Sequence, residues 1–107
     1  VEIIWTETAL ADIEEFAEYI ALSSSLAAKK LVQKIFDKTV RLIEHPESGN
    51  APLELKDLGY REILVNPVRV IYKIDNDRVY IIHIARQERL VRNYLIQEEA
   101  AAYAVGG

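Results

Sequence analysis

The chain has 107 residues, half of them hydrophobic and 28% charged, with a formal net charge of −4. That length suits one domain with a single core and is too short for two. It has no cysteine and only two histidines, the distant His45 and His83. Disulfides, thiolate chemistry and Cys-ligated metals are therefore excluded, no His-built metal motif is visible, and no apolar run reaches the ~18 residues of a membrane span.

The net charge hides a split. Residues 1–60 carry six basic and eleven acidic side chains, whereas residues 61–94 carry seven basic and four acidic ones. General nucleic-acid affinity would favour a basic whole domain, and here only the C-terminal half offers it. The absence of cysteine fits a reducing cytoplasm, and the first residues read as a strand rather than a basic, apolar leader. No cofactor is expected.

Residues 1–5, β-branched and aromatic, predict a short buried strand. Thr6 or Thr8 caps a helix predicted over 6–22, with Leu10, Ile13, Ala17 and Ile20 at helical spacing and Phe16 widening the stripe. Asp12, Glu14, Glu15 and Glu18 cover its other side and read as a solvated face. Ser23-Ser24-Ser25 ends this helix and caps a second, predicted over 26–44. There Ala28, Leu31, Val32, Ile35, Thr39, Leu42 and Ile43 repeat with period 3.6 opposite Lys29, Lys30, Lys34 and Lys38. The two form an antiparallel helical hairpin.

The cluster from His45 to Pro52 is a breaker loop, continued to Gly59 with room for one helical turn. Three strands follow, over 60–66, 68–74 and 78–85. Pro67 suits the first turn, and Asp75-Asn76-Asp77 the second, because Asn and Asp tolerate positive φ. A short helix or extended arm is expected from Gln87 to Tyr94. Residues 1–96 make one domain, and 97–107 are a tail of unknown role. The order β-α-α-β-β-β implies a two-layer α+β fold: an antiparallel meander, the first strand inserted or at its edge, and the helical hairpin on one face.

The arginines carry the chemical interest. The hairpin brings Arg69 and Arg86 toward its open end, with Arg61, Arg89 and Arg92 nearby in sequence. One reading is a polar outer sheet face solubilised by arginines paired with glutamates. The other is a concave cationic surface that holds phosphate or clamps an acidic partner. Tyr72 and Tyr80 read as packing residues and Tyr94 stays open. His83, inside an apolar strand, reads as a packed or hydrogen-bonded histidine rather than a general acid. There is no phosphate-binding glycine loop and no recognisable Ser/His/Asp arrangement.

Taken together, several segments resemble the RelE/ParE superfamily of bacterial type II toxins, in particular its ParE-like branch of plasmid stabilisation proteins. They are Trp5-Thr6-Glu7-Thr8-Ala9-Leu10-Ala11-Asp12-Ile13 with Tyr19-Ile20, Pro46-Glu47-Ser48-Gly49, Tyr60-Arg61-Glu62, Pro67-Val68-Arg69-Val70-Ile71-Tyr72 and His83-Ile84-Ala85-Arg86-Gln87. Their order and spacing, from Glu2 to Tyr94, carry the resemblance. It implies the two-layer fold and a cognate, ParD-like antitoxin whose C-terminal half folds over the toxin, in a groove beside the helices 6–22 and 26–44. Operator DNA would be touched only through that antitoxin.

The resemblance implies two activities. ParE-like members inhibit DNA gyrase, and Arg61, Arg69, Arg86, Arg89 and Arg92 are then the candidate target-binding residues. RelE-like members cleave messenger RNA on the ribosome, and the candidate catalytic residues are then Arg69, Arg86 and Tyr94, with Arg61 and His83. Gln87 and Ile63 stand where the nucleases carry a second arginine and a lysine. These departures favour the gyrase-inhibiting reading, since losing one charge-stabilising group costs roughly 3–4 kcal/mol of barrier. A third reading is an inert subunit retained for its antitoxin complex.

Overall fold

A computed structural model of the chain describes residues 1–98. Strand β1 (Glu2–Trp5) is followed by helices α1 (Glu7–Ala21) and α2 (Ser25–Val40), the latter tightening into a 3-10 turn at Arg41–Ile43. A second 3-10 segment, Leu53–Leu58, precedes strands β2 (Arg61–Val65), β3 (Val68–Asp75) and β4 (Arg78–Arg86). A third helix, α3, begins at residue 92 and is described to residue 98. The expected α+β architecture and element order therefore hold. The helix predicted over 26–44 ends earlier, at Val40, and its last turn is 3-10. The arm expected from Gln87 resolves into a turn and then α3. Residues 97 and 98 continue α3, and the rest of the expected tail lies outside the described residues.

Capping fixes where the two long helices start. Thr6 Oγ1 accepts from Ala9 N–H, and Ser24 Oγ accepts from Ala27 N–H, each satisfying a first-turn donor with no intrahelical partner. The strand order is β1-β4-β3-β2. β2, β3 and β4 form the antiparallel meander, while β1 lies at the edge, parallel to β4, with Glu2 opposite Arg78 and Trp5 opposite Ile81. In the β3–β4 turn Asn76 takes φ 56°, the left-handed conformation that asparagine tolerates.

Alternation along β3 sends Val68, Val70 and Tyr72 to the helical hairpin. There they join Val65, Val79, Ile81, Ile84, Ala9, Ile13, Leu31, Ile35 and Leu42 in the main core. Trp5 and Phe36 pack beside it with ring centroids 4.9 Å apart. Leu10, expected on this face, is largely exposed.

The other sheet face departs from the expected polar surface. Tyr60, Ile71 and Ala85 on that face are covered by Leu55, Val91 and Leu95, forming a second small core. The segment Leu53–Leu58 and helix α3 thus make a third layer. β3 is buried on both faces, which is why it reads as a nearly unbroken apolar run.

Candidate functional site

A β-bulge sets the positions of the functional side chains. Ile71 pairs with His83 but Tyr72 pairs with Ile81, so Ile82 is an extra residue in β4. Before it, Val79 and Ile81 face the main core; after it, the phase is reversed and Ile84 does. His83 and Ala85 consequently turn to the second face, while Arg86 stays on the α1 side.

β1 ends opposite Ile81, so beyond that point β4 has no strand on its outer edge. Side chains from the start of α1 supply the missing partners. Thr6 Oγ1 donates to the carbonyl of Ile81 at 2.8 Å, and the Asp12 carboxylate accepts from Ile84 N–H at 3.0 Å. Asp12 also sits 2.6 Å from His83 Nδ1. A carboxylate accepts, so Nδ1 carries the proton. The acidic side of α1 is therefore not uniformly solvated, since Asp12 fastens α1 to β4.

His83 is 3% exposed, and its Nε2 is buried with no hydrogen-bond partner. The Tyr94 ring stacks on it, with centroids 4.3 Å apart and planes 26° apart. Burial, reinforced by a hydrogen bond to Glu98, pushes the Tyr94 phenol up to about 12. The Arg89 guanidinium lies over the same Tyr94 ring, 5.7 Å from its centroid. Asp12, Glu15, Phe16, Tyr19, His83, Ile84, Arg86 and Arg89 line an open cleft of about 320 Å³. One wall is acidic, from α1; the other is cationic, from the end of β4 and the turn after it; the floor is apolar.

The five arginines do not gather into the single cationic surface that one of the two readings offered; Arg69 pairs with Glu62 and Arg86 lies beside Glu88, as the other reading has it. Arg69 and Arg86 lie at neighbouring registers, opposite Ala85 and Val68 respectively, yet on opposite faces of the sheet. Arg69 is 4% exposed and points into the second core's edge. Its Nη1 pairs with Glu54 and donates to the carbonyl of Arg89 at 3.0 Å, and its Nε donates to Glu62 at 2.7 Å. Glu54 and Glu62 are themselves mostly buried, with 18% and 13% of their side-chain surface exposed.

The remaining arginines are divided in the same way. Arg92 forms a two-pronged pair with Asp57, at 2.6 and 3.0 Å, which holds that carboxyl below its ordinary range. Arg92 also donates to the carbonyl of Glu54, while Glu54 Oε2 accepts from Val91 N–H. Arg61 donates to the carbonyls of Glu47 and Gly49 at 3.2 and 2.9 Å. That pins the breaker loop, which Tyr72 also holds: its hydroxyl accepts from Gly49 N–H and donates to Pro46 O. Arg86 is 55% exposed, with Glu88 at 3.6 Å, and Arg89 is exposed. Of the candidate residues, the structure therefore brings Arg86, Arg89, His83 and Tyr94 together, and holds Arg61, Arg69 and Arg92 in internal contacts.

Asp12 and Glu54 were not singled out from the sequence, whereas Glu62 was a candidate partner for the arginines. Asp12 sits one position before Ile13 on the apolar stripe's margin, the only signal that it borders the sheet. Glu54 gave no local signal, because its partner is brought to it by tertiary structure, whereas Glu62 lies on the strand paired with that of Arg69. Among the described residues there is no cluster of three or more His, Asp or Glu side chains able to hold a metal ion, and no helix is long and apolar enough to cross a membrane.

Comparison with known proteins agrees with this architecture. A curated relative, Toxin RelE2 of Caulobacter vibrioides, is 33% identical over 90 residues, spanning 83% of this chain and 98% of the relative. A chain of the solved chromosomal ParDE toxin–antitoxin system from P. aeruginosa shares the fold with a TM-score of 0.69 at 22% identity, over 82% of this chain and 97% of that one. The family described as the ParE toxin of the type II toxin–antitoxin system, parDE, matches residues 3–91. With the family pattern running through the main core, the hairpin and the cleft, this chain belongs to the ParE toxin family of type II toxin–antitoxin systems.

Proposed function

We propose that this toxin acts by binding DNA gyrase, without chemistry of its own, through the Arg86–Arg89 wall of the cleft and the turn that follows β4. A cognate antitoxin neutralises it in the bacterial cytoplasm by seating a segment beside the helical hairpin. The observation that carries the reading is the state of Arg69. By the resemblance, Arg69 stands where the nucleases carry an arginine on the central strand, and here it is buried and shared between Glu54 and Glu62. An arginine already neutralised by two carboxylates offers little to a scissile phosphate. His83 points the same way, because its one unbonded nitrogen is closed off and its neighbour Tyr94 is held neutral.

The cleft suits protein contact. Its apolar floor between walls of opposite charge fits an amphipathic segment better than a uniformly anionic backbone. A ribosome-dependent ribonuclease is the second reading, favoured by the name of the Caulobacter relative, Toxin RelE2. Purified gyrase and antitoxin-free protein decide between them. Lost supercoiling with accumulating linear DNA supports gyrase poisoning. Unchanged gyrase, with cleavage of a programmed message in the ribosomal A site, supports the ribonuclease.

A further inference from the structure

We infer that Arg69 is a positioning residue that acts through Arg89, and that it makes no contact with the target. The inference rests on the target-binding reading of Arg86 and Arg89, and deepens it. Its grounds are the connections of one guanidinium. Nε is bound to Glu62 on β2, and Nη1 is bound both to Glu54, in the 3-10 segment, and to the backbone carbonyl of Arg89. Arg69 therefore ties three separate parts of the chain to β3.

Arg89 lies in the short stretch between β4 and α3, which Gln87 N–H fastens to the carbonyl of Pro67 at its start. Its own N–H donates to Arg86 O, closing a turn, and its carbonyl is taken by Arg69. The next fixed point is Val91, whose N–H goes to Glu54, the same glutamate that Arg69 holds. Both ends of the residue 89–91 stretch are therefore bonded to the Arg69–Glu54 pair, the Val91 end being held in addition by burial in the second core. With the carbonyl fixed, the Arg89 side chain is aimed over Tyr94 and into the cleft wall beside Arg86. Arg69 itself lines a different cleft, with Pro52, Leu53, Glu54, Glu62, Leu64, Gln87 and Leu90. That cleft shares no lining residue with the one containing Arg86 and Arg89.

A lysine at position 69 keeps the charge but cannot donate from two fixed nitrogens to two glutamates and a carbonyl at once. Arg69→Lys should therefore release the Arg89 carbonyl. The test is a double-mutant cycle on the full chain, using Arg69→Lys, Arg89→Ala and the double variant. The readout is the inducer dose that half-arrests growth of cells lacking the antitoxin. Each single change should raise that dose about tenfold, and the double variant should be no worse than Arg89→Ala alone, because residues acting through one contact are not additive.

Multiplying effects in the double variant would overturn the inference and place Arg69 on the target. A second readout is the NMR signals of Arg89 and the Tyr94 ring in the purified chain. They should move in Arg69→Lys while those of Ile35 and Leu42 in the main core stay; unmoved Arg89 and Tyr94 signals would equally overturn it. Should Arg69→Lys fail to fold, the neutral set Arg69→Met, Glu54→Gln and Glu62→Gln takes its place in both measurements. If the unaltered chain does not arrest growth, the proposed function fails, and the NMR comparison still decides the role of Arg69.

Discussion

Replacing Arg69 alone by methionine removes the cation that bridges Glu54 and Glu62 and leaves two mostly buried carboxylates without it. Removing one partner of a buried ion pair costs roughly 3–5 kcal/mol, because the remaining charge is desolvated without compensation. Glu54 and Glu62 retain 18% and 13% of their side-chain surface, so water relieves part of that cost and about 3 kcal/mol is expected. For a domain of this size each kcal/mol moves the melting temperature by roughly 4–8 °C, giving a drop of about 12–24 °C. The same methionine combined with Glu54→Gln and Glu62→Gln leaves no stranded charge and keeps an acceptor for Val91 N–H. That triple variant should recover most of the loss, to within about 1 kcal/mol of the original chain, since neutral replacements of buried ion groups are often close to neutral. Thermal and urea melts followed by circular dichroism measure both. A loss below 1 kcal/mol for the single variant, or a triple variant no better than the single one, would refute the reasoning that charge burial dominates here.

Other expectations follow from the same contacts. Arg86→Glu should abolish growth arrest while leaving the melting temperature within about 2 °C, because exposed surface substitutions usually cost under ~0.5 kcal/mol; full toxicity in that variant would remove Arg86 from the contact surface. Tyr72→Phe strands Gly49 N–H and Pro46 O and should cost about 1–3 kcal/mol, read in a urea melt. Gly49→Ala should be at least as damaging, since a Cβ there would lie 2.6 Å from the carbonyl oxygen of Glu62. Stability should also fall at alkaline pH. Tyr72 and Tyr94 both ionise later in the folded chain than in the unfolded one, chiefly through burial. Their contribution is therefore complete below the ordinary tyrosine value near 10 and is lost as pH rises toward about 12. Tyr94→Phe should weaken the upper part of that pH dependence, and an unchanged profile would count against it.

Much of the fold was legible because it rests on local pattern. The two helices show in their 3.6-residue spacing, and their starts, to within a residue or two, in Thr6 or Thr8 and in Ser23-Ser24-Ser25. The β3–β4 hairpin shows in its apolar runs around Asn76. The second core was harder to read, because Leu55, Val91 and Leu95 are isolated apolar residues in stretches that look like loops. A clue lay in β3 itself: Val68 to Tyr72 is apolar at every position except Arg69, the mark of a strand covered on both sides. The bulge at Ile82 was not legible, and without it strict alternation puts His83 on the wrong face. The arginine surface failed for the same reason. Sequence shows that Arg69 and Arg86 share a hairpin end, but the faces they occupy depend on that one extra residue, and Glu54, one of the two carboxylates on Arg69, comes from a separate segment.

The parallel pairing of β1 with β4 bears on how the chain is made. During synthesis the helical hairpin can fold as soon as it emerges, since its contacts are local. Residues 2–5, however, have no strand to join until residues 78–81 have left the ribosome. The first strand and the last are thus completed together, after most of the chain is already exposed. Such distant pairing slows folding and leaves strand edges open in partial chains. Both walls of the cleft meet only at that final step, α1 on one side and the end of β4 on the other. A nascent or truncated chain lacking β4 would carry neither Arg86 nor a place for Asp12 to bind, so the cleft exists only in the finished molecule.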